Sequence, residues 1–147
     1  MVVKIVESLY SKAPKDFGIS SASQAYTVGQ LLMEDKTAGT VIPATSSVST
    51  LNCLGVGTRA FTEGGSNGVI QYIPISTVAV RVVVDCNANT AANQIHKDHL
   101  MTDSNTVNNT STTSTAKEGV FHALGQVGAA ANKKLYGYFI RSGQVTA

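Results

Sequence analysis

Three histidines, His96, His99 and His122, are the side chains best suited to proton transfer or metal binding near neutral pH. His96 and His99 lie three apart, with Asp98 and Asp103 close by, a spacing that a helical turn could fold into a pair of metal ligands. A metal centre needs three or four converging ligands, and no HExxH or second cluster accompanies them, so surface histidines are expected. Ser, His and Asp all occur, but no spacing groups them into a triad, and no GxSxG elbow is present. Gly55-Val-Gly57 matches only the start of a dinucleotide loop; the third glycine is missing, no helical pattern follows, and GxxxxGK[ST] is absent. Glu34-Asp35 falls at a predicted turn, where acidic residues are ordinary. Paired carboxylates that cleave sugar usually stand in an aromatic-walled cleft, and this chain has no Trp and 6% aromatic residues. The expectation is no catalytic, cofactor-binding or metal-binding residue, no cofactor, and a protein that is not an enzyme.

The elements that would have to position any site are short and β-like. The 147 residues fit one domain, and the hydrophobic share of 43% excludes a disordered chain. Charged residues are 14%, well below the usual quarter, and Ser, Thr and Asn fill the difference. Net charge is +2, and Lys133-Lys134 is the only adjacent basic pair. With no alternation of basic and aromatic residues, no nucleic-acid partner is expected. No apolar run is long enough to span a bilayer, so no membrane partner is expected. The first residues lack a proper apolar core and a clear cleavage site, so no signal peptide is expected. Cys53 and Cys86 are too few for a disulfide framework; they could pair only as neighbours, and free buried thiols are the commoner case.

Val2 to Val6 reads as a short strand, and the stretch to Ala25, broken by Pro14 and Gly18, as an extended arm. The division is therefore an arm over 1–25 and a β-domain over 26–147. Ile5, Leu9, Tyr10, Phe17 and Ile19 in the arm need something to cover them. Strands are predicted over Val28 to Glu34, Thr40 to Ala44, Leu51 to Ala60, Val69 to Ile75, Val120 to Val127 and Leu135 to Arg141. The apolar phase of Leu51 to Ala60 switches between Cys53 and Leu54, which predicts a bulge near Gly55 or Gly57. Glu63 to Gly68 reads as a hairpin turn using positive φ. Val78, Val80, Val82 and Val84 share one face of the clearest strand. Val80, Val82, Val84, Leu124, Phe139 and Ile140 are expected in the core. Short strands with frequent turn signals predict an all-β sandwich or barrel.

Thr102 to Thr115 holds one apolar residue, Val107, and one charge, Asp103. Such a tract offers many hydrogen-bonding groups without a strong field, which suits a surface packed against protein or a long exposed loop. The N-x-[ST] sequons at Asn108 and Asn109 read as chance products of its composition.

The order of these segments resembles the head decoration (capsid cement) proteins of tailed phages. The first half is carried by Tyr26-Thr-Val-Gly-Gln-Leu-Leu, then VIPATSS, then LNCLGVGTRAF, which resemble that family's xxGxxLxxD strand, small-residue strand and lGva phrase. The second half is carried by IHKDHLMTDSNTVNNT, GVFHALGQVG and KKLYGYFI. The resemblance implies a compact β-barrel or β-tulip-like domain with an N-terminal arm. It implies a structural virion protein, made in the host cytoplasm, that binds the outer surface of the major capsid protein lattice and stabilises the mature head. It implies assembly with itself as a homotrimer or homodimer. Capsid or inter-subunit contacts are expected from Val3, Ile5, Leu9, Tyr10 and Phe17 of the arm and from Asn105, Asn108 and Asn109 of the polar tract. The alternative is a receptor- or glycan-binding β-module of a phage tail or fibre, using the Asn/Thr-rich tract for glycan hydrogen bonds.

Overall fold

The computed structural model describes residues 3–7, 15–75, 81–113 and 119–141, with backbone alone at 3–7 and 111–113. The strands among them run in chain order. They are β1 (Val3–Glu7), β2 (Asp16–Ser20), β3 (Ala25–Tyr26), β4 (Leu31–Asp35), β5 (Thr40–Pro43), β6 (Cys53–Gly57) and β7 (Phe61–Thr62). After them come β8 (Gly68–Pro74), β9 (Arg81–Asp85), β10 (Asp98–Met101), β11 (Val107–Thr113), β12 (Phe121–Gln126) and β13 (Lys134–Phe139). Two short 3-10 turns, Ala92–Gln94 and Ala130–Asn132, complete the described elements. The protein is all-β, as expected.

The first half closes into a barrel in the order β2-β5-β4-β6-β8, and β3 pairs with β7 as a short ribbon. The second half, with β1 added at its edge, makes a six-stranded antiparallel sheet in the order β1-β9-β13-β12-β10-β11. A parallel bridge between Cys86 and Val107 brings the end of β9 to the start of β11, so this sheet curls towards closure. Alternation decides the faces. Leu32 points into the barrel with Tyr26, Val41, Ile70 and Tyr72. Leu31 and Met33, one residue either side, join the larger core with Val82, Val84, Phe121, Leu135 and Phe139. The barrel wall is thus also the floor of the second sheet. At Gly137 on β13, a Cβ would stand 1.9 Å from the His122 carbonyl oxygen of β12, so only glycine permits this approach.

Several expectations change. Asp16–Ser20 is a stave of the barrel, paired along its length with β8, so the arm does not extend to residue 25 and the β-domain begins before residue 26. Val3–Glu7 pairs with β9 as an edge strand. Glu63 to Gly68 is not a hairpin turn: it links β7 to β8, which belong to different sheets, and none of its glycines has positive φ. The irregularity foreseen near Gly55 is present; the β4–β6 register shifts between Leu32 and Met33, leaving Leu54 as the extra residue. Val82, Val84 and Phe139 are in the core, whereas Leu124 and Ile140 are only half-buried. Leu124 falls at a bulge between Ala123 and Gly125, which leaves Phe121 and Ala123 as the inward residues of β12. Val78 and Val80 lie outside the described residues.

The polar tract is half strand rather than loop. Val107–Thr113 pairs with β10, helped by the β-propensity of its threonines. Asn109 is 1% exposed and acts as a clasp. Its Nδ2 donates to the carbonyls of Ala88 (3.0 Å) and Asn89 (3.1 Å) and to Gln94 Oε1 (3.1 Å). Its Oδ1 accepts from the Ala88 N–H at 3.0 Å, and its own N–H donates to Asn87 Oδ1 at 3.1 Å. Asn109→Ala would remove four side-chain hydrogen bonds from a buried position and is expected to lower unfolding free energy by about 3 kcal/mol in urea denaturation. Asn108→Ala, in contrast, is expected to cost less than about 1 kcal/mol. Equal costs at the two positions would contradict the clasp.

Candidate interaction surface

The residues best suited to chemistry are dispersed. His96 is exposed in a left-handed conformation, φ 62°, while His99 is fully buried with Nε2 2.9 Å from the Gln94 carbonyl oxygen. They share no ligand position. Among the described residues no group of three His, Cys, Asp or Glu converges as a metal would require. His122 Nδ1 lies 2.6 Å from Asp98 Oδ1, on the sheet face away from the core. Its ring lies 5.1 Å from that of Tyr138 at a tilt of 31°, and the Arg81 guanidinium lies 4.9 Å from the centre of Tyr138. Register explains the row: Asp98 is opposite His122, and His122 is opposite Tyr138, across three neighbouring strands. The pair has the look of a charge-relay dyad, yet among the described residues no hydroxyl is hydrogen-bonded to His122 to serve as a nucleophile. The row is a cross-strand ladder that fastens the sheet.

Both cysteines are free and buried. Cys53 lies in the shared core, where burial pushes its thiol up to about 12 and Arg141 opposes that only in part. Burial, reinforced by Asp85, likewise pushes Cys86 to about 12. Neither is a nucleophile at neutral pH.

What remains is surface. Phe17 is 63% exposed, Ile19 52% and Val69 68%. The β2–β8 register sets Ile19 directly opposite Val69, and Phe17 follows two residues along the same face. Three large apolar side chains therefore lie together on the outside of the barrel. Their inward neighbours, Ile70 and Tyr72, fill its interior. Phe17 was expected at a contact and Ile19 was expected to need cover. Val69 escaped the sequence reading, although alternation with Ile70 places it outward.

The other expected contact residues scatter. Val3 and Ile5 are opposite Val84 and Val82 in the edge pairing. Leu9 and Tyr10 lie outside the described residues. Asn105 is half-buried in the 102–106 turn, where its N–H donates to Asp103 Oδ1 at 2.7 Å. Asn108 Oδ1 accepts from the Thr110 hydroxyl at 2.8 Å and from Asn87 Nδ2 at 3.3 Å. Asn109 is used up inside the clasp and offers no surface for contact; a buried polar side chain satisfied by backbone is indistinguishable in sequence from an exposed one.

Neither the models of known protein families nor the curated proteins contain a match to this chain.

The raised thiol values make a direct prediction. Relative to the ordinary value of 9.0, the thiolate fraction of Cys53 and Cys86 at pH 8 is reduced roughly a thousandfold. The native protein should not react with Ellman's reagent at pH 8 on mixing, and both thiols should react in denaturant. The thiols' contribution to stability is full below about pH 9 and is lost as pH rises towards 12, because the unfolded state releases its protons first. Immediate reaction of the native protein would contradict this burial.

Proposed function

We propose that this chain is a structural virion protein: a capsid decoration protein that binds the outer surface of a major capsid protein lattice, stabilises the mature head, and does no catalysis. The observation that carries the reading is the Phe17, Ile19 and Val69 patch, apolar side chains left in water on a well-formed barrel. A contiguous apolar patch of this kind marks a surface that another protein covers. The order of the segments from Tyr26 to Ile140 supports the same reading through its resemblance to phage cement proteins. So does the low charge, since interface cores are depleted of charged residues. In this role the protein works as a homotrimer or homodimer on the particle, in high copy, so modest contacts add up through repetition.

The tail or fibre alternative needs the polar tract as a glycan-binding face. Nothing in the geometry favours it: half the tract is strand, and Asn109 points inward.

The test is co-sedimentation of purified protein with capsid shells that lack it. The double variant Ile19→Ser, Val69→Ser replaces exposed side chains and should keep its stability within about 1 kcal/mol. Its affinity for shells should fall at least tenfold. Unchanged binding by the double variant would remove the patch from the interface.

A further inference from the structure

Asn67-Gly68, where the 63–68 link enters β8, is the one Asn-Gly step in the chain. Such a step carries its own chemistry. The Gly68 backbone nitrogen can reach the Asn67 side-chain amide carbon and close a five-membered ring, and glycine has no Cβ to crowd the attack. Two barriers ordinarily slow it: the peptide N–H gives up its proton reluctantly, and negative charge must develop on the amide oxygen.

The fold addresses both. The Gly68 N–H donates to Ser20 Oγ at 3.2 Å, and the Ser20 hydroxyl donates to Glu63 Oε2. A continuous proton path therefore runs from the nucleophilic nitrogen to a carboxylate. Ser20 is fully buried and Glu63 half-buried, which shields that path from water. The Gly64 N–H holds the other carboxylate oxygen, Oε1, at 3.1 Å. On the electrophile, Asn67 Oδ1 accepts from the Ala22 N–H at 2.9 Å, a donor placed where charge develops during attack. Glycine is also required at 68, because a Cβ there would stand 2.5 Å from Glu63 Oε2. Asn67 itself is exposed, so ammonia can leave and water can enter.

We infer that Asn67 is a self-modifying site, converted through a succinimide to aspartate and isoaspartate with help from Ser20, Glu63 and the Ala22 N–H. The Gly68 proton passes through Ser20 to Glu63, and the nitrogen lone pair bonds to Asn67 Cγ. The Cγ–Nδ2 bond then breaks, and the relayed proton leaves with the nitrogen as ammonia. Water adds to either ring carbonyl, its oxygen going to carbon and a proton to the ring nitrogen, which opens the ring. Both products place a new carboxylate in the 63–68 link. Isoaspartate also adds one carbon to the main chain just before β8, beside the Ser20–Gly68 pair and next to Val69 of the apolar patch. The change happens once per chain, without turnover, and does not depend on the virion reading.

The full-length protein is incubated at neutral pH, native and in guanidinium, and Asn67 is followed by peptide mapping, with isoaspartyl methyltransferase to count isoaspartate. The native chain should gain about 1 Da at Asn67, about tenfold faster than the denatured chain. Glu63→Gln keeps the shape and removes the proton acceptor; it should slow the native rate about tenfold and leave the denatured rate unchanged. The pH profile separates a proton relay from a structural role. From about pH 6 to 8 the native parent's rate should stay nearly level, because the carboxylate rather than hydroxide takes the proton. The denatured chain and native Glu63→Gln should both climb with pH. A native rate no faster than the denatured one overturns the inference, since the hydrogen bonds would then restrain Gly68. So does a Glu63→Gln rate that matches or exceeds the parent's, or a native parent whose rate climbs with pH as the denatured chain's does.

Discussion

Over Leu31, Leu32 and Met33, strand β4 has no solvent side. Leu32 fills the barrel, and its two neighbours fill the core beneath the second sheet. Each such side chain contributes roughly 1.5–3 kcal/mol when fully buried, and both sets draw on one five-residue strand. The barrel therefore cannot be separated from the sheet without exposing one wall of each. Other contacts reinforce the junction. The Leu31 N–H donates to the Ser104 carbonyl at 2.8 Å, and Gln30 Nε2 donates to Ser104 Oγ at 3.1 Å. Arg141, two residues beyond the end of β13, reaches Glu34 at 2.7 Å and the Cys53 carbonyl at 2.8 Å.

This arrangement explains why apolar surface is left over on the outside of the barrel. With the inner faces of both halves committed to packing, the outer face of β2 and β8 carries apolar side chains that the core does not absorb. In the proposed role, a partner lying across this side of the barrel would cover the patch. The far sheet carries its own cross-strand ladder from Asp98 through His122 and Tyr138 to Arg81.

Much of this was legible in sequence wherever alternation met burial on one face. Val82 and Val84 in the core and the irregularity at Leu54 follow from period-two patterning and its interruptions. Three features were not legible, each for a physical reason. Asn109 occupies a core position through hydrogen bonds, which hydropathy reads as exposure. Phe17 and Ile19 are apolar residues on the outside of a stave, so their strand resembled a loose arm. The Glu63 to Gly68 glycines signal a tight turn, but they join strands of different sheets, and only tertiary pairing reveals that. The patch was half visible: Phe17 and Ile19 stood out as needing cover, and Val69 became its third member once register set it opposite Ile19.

The most direct test of the proposed virion role is the copy number of this chain, by quantitative mass spectrometry, on purified virus particles from its source, relative to the major shell protein. A capsid decoration protein should be present in a number comparable to the shell subunit. Absence from the particle, or only a few copies, would contradict the account.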